Sequence, residues 1–137
     1  MKKNVILLIM LITGTVIYAQ NTSQITPKTK LLVYYFHLTS RCHTCTNIEA
    51  TTKKVLDENF KTELDSGIII FKTFNVDLPE NKKICKKYDA YGATLAVTYF
   101  QSGKEKIEDL TNFAFSKIYT EPVFISGLKL KIQEHLK

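Results

Sequence analysis

Two short, unbroken apolar runs constrain this chain more than any other feature. Leu31-Leu32-Val33-Tyr34-Tyr35-Phe36 and Ile68-Ile69-Ile70-Phe71 are built from aliphatic and aromatic residues with no polar alternation. A strand with one wet face alternates polar and apolar side chains, whereas a strand covered on both faces does not. Each run is far shorter than the ~20 residues a helix needs to cross a bilayer. Both therefore read as buried strands of a sheet with helices on its two faces, the second continuing through Phe74 to Val76.

The intervening segments have the other period. Cys45, Ile48, Val55, Leu56 and Phe60, with Thr52 between them, fall at helical spacing until Asp65-Ser66-Gly67 breaks it. Pro79 suits the first turn of a second helix, striped by Ile84, Tyr88 and Tyr91 and closed by Gly92. Thr94 to Phe100 reads as a third strand. Gln101-Ser102-Gly103-Lys104 is a hairpin turn, and Lys106 to Leu110 is the returning fourth strand. Pro122 opens a last helix with Phe124, Ile125, Leu128, Ile132 and Leu136 inward. The order is β-α-β-α-β-β-α. It implies an α/β fold with one mixed four-stranded sheet flanked by helices, a parallel pair joined by crossovers and a terminal antiparallel hairpin.

The ends and the charge bound the functional classes. Met1-Lys2-Lys3 is a cationic start, Val5 to Ile17 is an apolar core, and Ala19 is a small residue at its end. That is the pattern of a secretory signal peptide over residues 1–19, cleaved after Ala19. No Cys follows the core, which argues against lipoprotein processing. Residues 20–30, with Pro27, read as a flexible lead-in, and 31–137 as one domain. Lys and Arg number 19 against 13 acidic residues; losing Lys2 and Lys3 leaves 17 against 13, a net +4. So small an excess does not argue for nucleic acid. The Lys pairs at 53/54, 82/83 and 86/87 fit solvated helix faces. Export to the periplasm would place the thiols where disulfides persist.

Cys42-His43-Thr44-Cys45 is the one motif with chemistry in its spacing. Two intervening residues let a single helical turn bring the sulfurs together. At a strand-to-helix junction the first Cys meets the unpaired amides and positive dipole end of the helix, which stabilise a thiolate. Arg41 and His43 flank it as further cations. Cys45, one turn in, would resolve a mixed disulfide formed by Cys42. A redox pair is the favoured reading. A metal site of His37, Cys42, His43 and Cys45 suits zinc or copper and remains an alternative, as does a purely structural disulfide.

Three stretches resemble the thioredoxin superfamily: Leu31–Phe36 followed by Cys42-His43-Thr44-Cys45, then Phe74-Asn75-Val76-Asp77, then Lys87-Tyr88 through Tyr99-Phe100-Gln101-Ser102-Gly103-Lys104. The resemblance covers the whole mature domain, about residues 30–136, and within the superfamily the chain looks like the small exported bacterial thiol-disulfide oxidoreductases. The resemblance implies Cys42 as nucleophile and Cys45 as resolving thiol. It implies exchange with protein thiols and disulfides, and a membrane redox partner for electrons, with no bound cofactor. The departures are specific. Arg41 stands where the family has Trp, and His43-Thr44 replaces the usual middle dipeptides. The first strand carries no acid. The family's cis-proline position falls near Leu95, where no Pro is present, so a trans bond or a local rearrangement is expected. Arg41, His43, Thr44 and Leu95 are thus the candidate modulating residues.

Five further expectations concern side chains outside the motif. Cys85 is expected to be a partly buried, inert thiol. Tyr34 and Tyr35 are expected in the core, with one hydroxyl able to approach the cysteines. Tyr88, Tyr91 and Tyr99 are expected to pack, His37 to sit in a loop, and His135 to lie on the surface. The chain as a whole is expected to be a monomer.

Overall fold

The computed structural model describes residues 28–137. The expected signal peptide over 1–19 and residues 20–27 of the expected lead-in lie outside the described residues. Residues 28–30 do not behave as a loose lead-in. Thr29 is buried and its Oγ1 donates to the Gly67 carbonyl at 3.0 Å, and the Lys30 amide donates to Ile68 O at 2.9 Å. The pairing of β1 with β2 recruits these residues before the strand itself begins.

Four strands form one mixed sheet: β1 Leu31–His37, β2 Ile69–Asn75, β3 Thr94–Gln101 and β4 Lys104–Asp109, in the spatial order β2-β1-β3-β4. β1 runs parallel to β2, with Leu31 opposite Ile69, and antiparallel to β3, with Tyr35 opposite Leu95. β3 and β4 are antiparallel across a two-residue turn, Ser102 and Gly103 at φ 51° and 72°. Both central residues need positive φ in the tight turn that matches strand twist, which is why Gly103 is there. Between β1 and β2 lie α1 His43–Asn59 and the short α2 Lys61–Asp65. A 3-10 turn Pro79–Asn81 and α3 Lys82–Lys87 lead to β3. After β4 come α4 Thr111–Lys117 and α5 Glu121–Leu136.

A mixed four-stranded sheet flanked by helices is therefore what the apolar runs implied. β1 is buried on both faces because its alternate residues feed two different cores. Leu31, Val33 and Tyr35 join Leu95 and Val97 under α1, α4 and α5, where Ile48, Val55, Phe124, Leu128 and Ile132 are buried. Leu32, Tyr34 and Phe36 join Ile70, Ala96, Cys85 and Tyr88 on the α3 side. There the rings of Tyr34, Phe36, Phe74 and Tyr88 pack at centroid distances of 5.0–5.3 Å.

Three local expectations are corrected. The helix after Pro79 ends at Lys87, not at Gly92: Asp89 takes the left-handed turn (φ 51°), and the Ala90 amide closes back on Cys85 O at 2.9 Å. Tyr91 consequently falls outside the helix and is 79 % exposed, so it does not pack. The helix α4 has no counterpart in the expected order. Its capture depends on distant partners: Ala114 and Ile118 are buried against the core. Its neighbour α5 approaches at Gly127, where an added Cβ would lie 2.7 Å from the Phe113 ring.

Thr52 is fully buried on the inner face of α1, and its hydroxyl has no hydrogen-bond partner. A buried, unpaired hydroxyl costs on the order of 1–3 kcal/mol. Replacing it with a methyl group removes that cost at nearly constant volume. Thr52→Val is expected to raise the unfolding free energy by about 1 kcal/mol or more in urea titration, and an unchanged or lower midpoint would refute it.

Candidate functional site

The chain leaves β1 at His37, crosses a short loop, and enters α1 through Cys42. Cys42 is the N-cap, with extended backbone (φ −78°, ψ 158°), and its Sγ accepts the Cys45 amide at 3.1 Å. Sulfur thus occupies the place where Ser or Asp oxygen normally satisfies an unpaired amide of the first turn. Cys42 and Cys45 form a disulfide, S–S 2.20 Å, with Cα atoms 5.2 Å apart. The two partners differ in access: Cys42 is exposed and Cys45 half-buried. One sulfur is reachable from solvent at a helix start, and the other stands behind it one turn in.

The loop is held from the end of β2. The Thr39 amide donates to Asp77 Oδ2 at 2.7 Å, Asn75 Nδ2 donates to Thr39 Oγ1 at 2.9 Å, and the Asp77 amide donates to Asn75 Oδ1 at 3.0 Å. Asn75-Val76-Asp77 is therefore a clasp on the segment before Cys42. The amide of Thr39 beside Asp77 holds its carboxyl below the ordinary value. Because the folded pKa is the lower one, the clasp's contribution is complete above the ordinary carboxylate value near 4. It is lost as pH falls through the depressed pKa. Asp77→Ala is expected to speed amide exchange at Thr39 several-fold at neutral pH without moving global unfolding; unaltered exchange would show that the clasp does not restrain the loop.

Tyr35, fully buried on β1, sends its hydroxyl to the Cys45 carbonyl at 2.8 Å. Burial is the leading cause that pushes this phenol up to about 12, so it remains a donor across the whole neutral range. Arg41, immediately before Cys42, does not point its charge into open solvent. Its guanidinium is hydrogen-bonded and ion-paired to Glu49 and lies over the Tyr35 ring at 5.9 Å. Asn75-Val76-Asp77 is one of the stretches that carry the family resemblance, but nothing in the sequence shows its hold on Thr39, and Glu49 does not stand out there. Glu49 carries only a weak local signal, a carboxylate one helical turn beyond Cys45.

The remaining candidates are dispersed. His43 is exposed beside the disulfide, while the His37 ring Nδ1 faces the Leu38 carbonyl at 3.0 Å. Among the described residues no group of three or more His, Cys, Asp or Glu is placed to hold a metal ion, so His37, Cys42, His43 and Cys45 are not gathered as ligands. Thr44 Oγ1 lies 3.4 Å from the hydroxyl of Tyr119, a residue of the α4–α5 connection that is 79 % exposed at the rim of the site. Leu95 is a core residue of β3, 1 % exposed, and there is no cis peptide bond among the described residues. Its side chain faces the interior with Tyr35.

Cys85 is the free thiol, 7 % exposed on α3, and burial pushes it up. His135 is not the surface residue expected. It stacks on Tyr99 at 3.8 Å and its Nε2 lies 2.8 Å from Glu108 Oε2. Burial opposes ionisation of Glu108, but hydrogen bonds and charges from Lys131 and His135 outweigh it and hold the carboxyl low. This cluster ties the end of α5 to β4, away from the cysteine loop in the sequence.

No protein-family profile and no curated protein matches this chain. Among solved structures it is similar to one described as a malarial protein, at 16 % identity and a TM-score of 0.40, covering 67 % of this chain and 99 % of the other.

Proposed function

We propose that this chain is a thiol-disulfide oxidoreductase with a thioredoxin-like fold, exchanging disulfides with protein substrates through Cys42 and Cys45. One observation carries the reading: the disulfide sits at the start of α1, with the exposed Cys42 sulfur receiving a backbone N–H and Cys45 shielded behind it. Reduction of such a pair leaves the amide of Cys45 and the helix dipole beside the outer sulfur, which favours its thiolate. The sheet order β2-β1-β3-β4, the parallel first pair and the terminal hairpin support the thioredoxin-like assignment.

In the forward step the Cys42 thiolate attacks one sulfur of a substrate disulfide and the other leaves as a thiolate. The Cys45 thiolate then attacks Cys42 Sγ, releases the second substrate thiol and restores the Cys42–Cys45 disulfide. Two electrons pass to the substrate; the reverse sequence oxidises it. Direction follows the reduction potential of the pair relative to its partners. Export to the periplasm, function as a monomer and re-reduction by a membrane partner complete the proposal. The test is insulin disulfide reduction with a thiol reductant. The wild type is expected to accelerate precipitation over the reductant alone; a rate equal to that background would overturn the reading.

A further inference from the structure

We propose that Glu49 sets the redox equilibrium of the Cys42–Cys45 pair by withholding the charge of Arg41 from Cys42. The inference rests on the exchange reading above and names a positioning device for it. Arg41 adjoins Cys42 in the chain, so it is the nearest permanent cation the covalent structure supplies. Yet its guanidinium is engaged by the Glu49 carboxylate, which reaches back from the second turn of α1. The ion pair is only about one-quarter exposed on each side. Partial burial lessens screening and makes the mutual attraction stronger than that of an open surface pair.

Apart from Glu49, Arg41 is held among the described residues only by the neutral Tyr35, through a hydrogen bond to its hydroxyl and contact with its ring. Arg41 Nε is buried without a hydrogen-bond partner, and the Tyr35 ring at 5.9 Å is at the outer limit for a cation–π contact. Glu49 is thus the anionic partner of the head group among the described residues, since the Tyr35 phenol, pushed up to about 12, stays neutral. The same Tyr35 bonds the Cys45 carbonyl, so the pair, the ring and the inner cysteine form one connected unit. Removing the carboxylate frees a cation that is tethered one residue from the outer sulfur. Its natural resting place is then the Cys42 thiolate, which is present only in the reduced form. The reduced form gains, and the pair becomes a stronger oxidant.

The experiment is equilibration of the full chain with glutathione buffers: the disulfide and two glutathione thiols go to two protein thiols and one glutathione disulfide, balanced in electrons and protons. Glu49→Gln is expected to shift this equilibrium toward the reduced protein by about fivefold, the scale of one unit charge at ~4 Å in water. On an Arg41→Gln background the same substitution is expected to shift it by less than half as much. Equal shifts in both backgrounds would mean that the carboxylate acts by its own field, and no shift in either would mean that the pair is merely structural; each overturns the proposal. Failure of the wild type to equilibrate with glutathione at all would instead overturn the exchange reading beneath it. Urea midpoints of the oxidised variants serve as the folding control.

Discussion

Cys42→Ser is expected to lower insulin reduction by ~10³-fold or more, to the background of the reductant, because removing a covalent nucleophile acts on that scale. Cys45→Ser is expected to behave differently. Its outer thiolate still attacks, but nothing inside the protein releases the substrate, so a mixed disulfide accumulates and appears on a non-reducing gel. The asymmetry follows from access. Cys42 is exposed at the N-cap, whereas Cys45 is half-buried behind it. Trapping by Cys42→Ser instead of Cys45→Ser would reverse the assigned roles, and equal activity in all three proteins would end the enzyme reading.

The second large effect is on stability. Phe124 is fully buried, belongs to the core between α5 and the sheet, and its ring lies 5.6 Å from that of Phe113. Phe124→Ala removes a whole ring where α1, α4 and α5 meet the sheet. It is expected to cost about 3–5 kcal/mol, the transfer free energy of the ring together with the cavity left behind. Against the ~5–15 kcal/mol that holds a typical domain folded, that loss is a large fraction. With a urea slope of ~1–3 kcal/mol/M the midpoint should fall by more than about 1 M. A shift below about 0.3 M would show that the neighbouring helices close over the vacancy.

The exposed Tyr119 beside Thr44 also illustrates how the site was assembled. The two residues are 75 positions apart, and nothing in the local pattern of either relates them. The same holds for Arg41. Its position beside Cys42 suggests a cation serving the thiolate, but the carboxylate that engages it is supplied by the geometry of α1, which brings Glu49 back over the loop. His135 failed for a related reason. A single His near the end of an amphipathic helix reads as solvated, and only the docking of α5 across β4 places it between Tyr99 and Glu108.

Local pattern determined the elements whose signals lie within a few residues. The unbroken apolar runs specify β1 and β2, since only a doubly covered strand tolerates them. Ser102-Gly103 specifies the hairpin, Pro122 the start of α5, and the two-residue spacing of Cys42 and Cys45 a sulfur pair on one helical turn. Tertiary structure alone decided the rest: the capture of α4, the early end of α3 at Asp89, the Asp77 clasp on Thr39, and the partner of Arg41. The capture of α4 and the clasp depend on contacts whose free energy exists only after distant segments have met, and the end of α3 and the Arg41 pair on three-dimensional geometry that no local pattern states. Short helices and single charges are marginal by themselves, so their conformations and partners are chosen by the surface they land on.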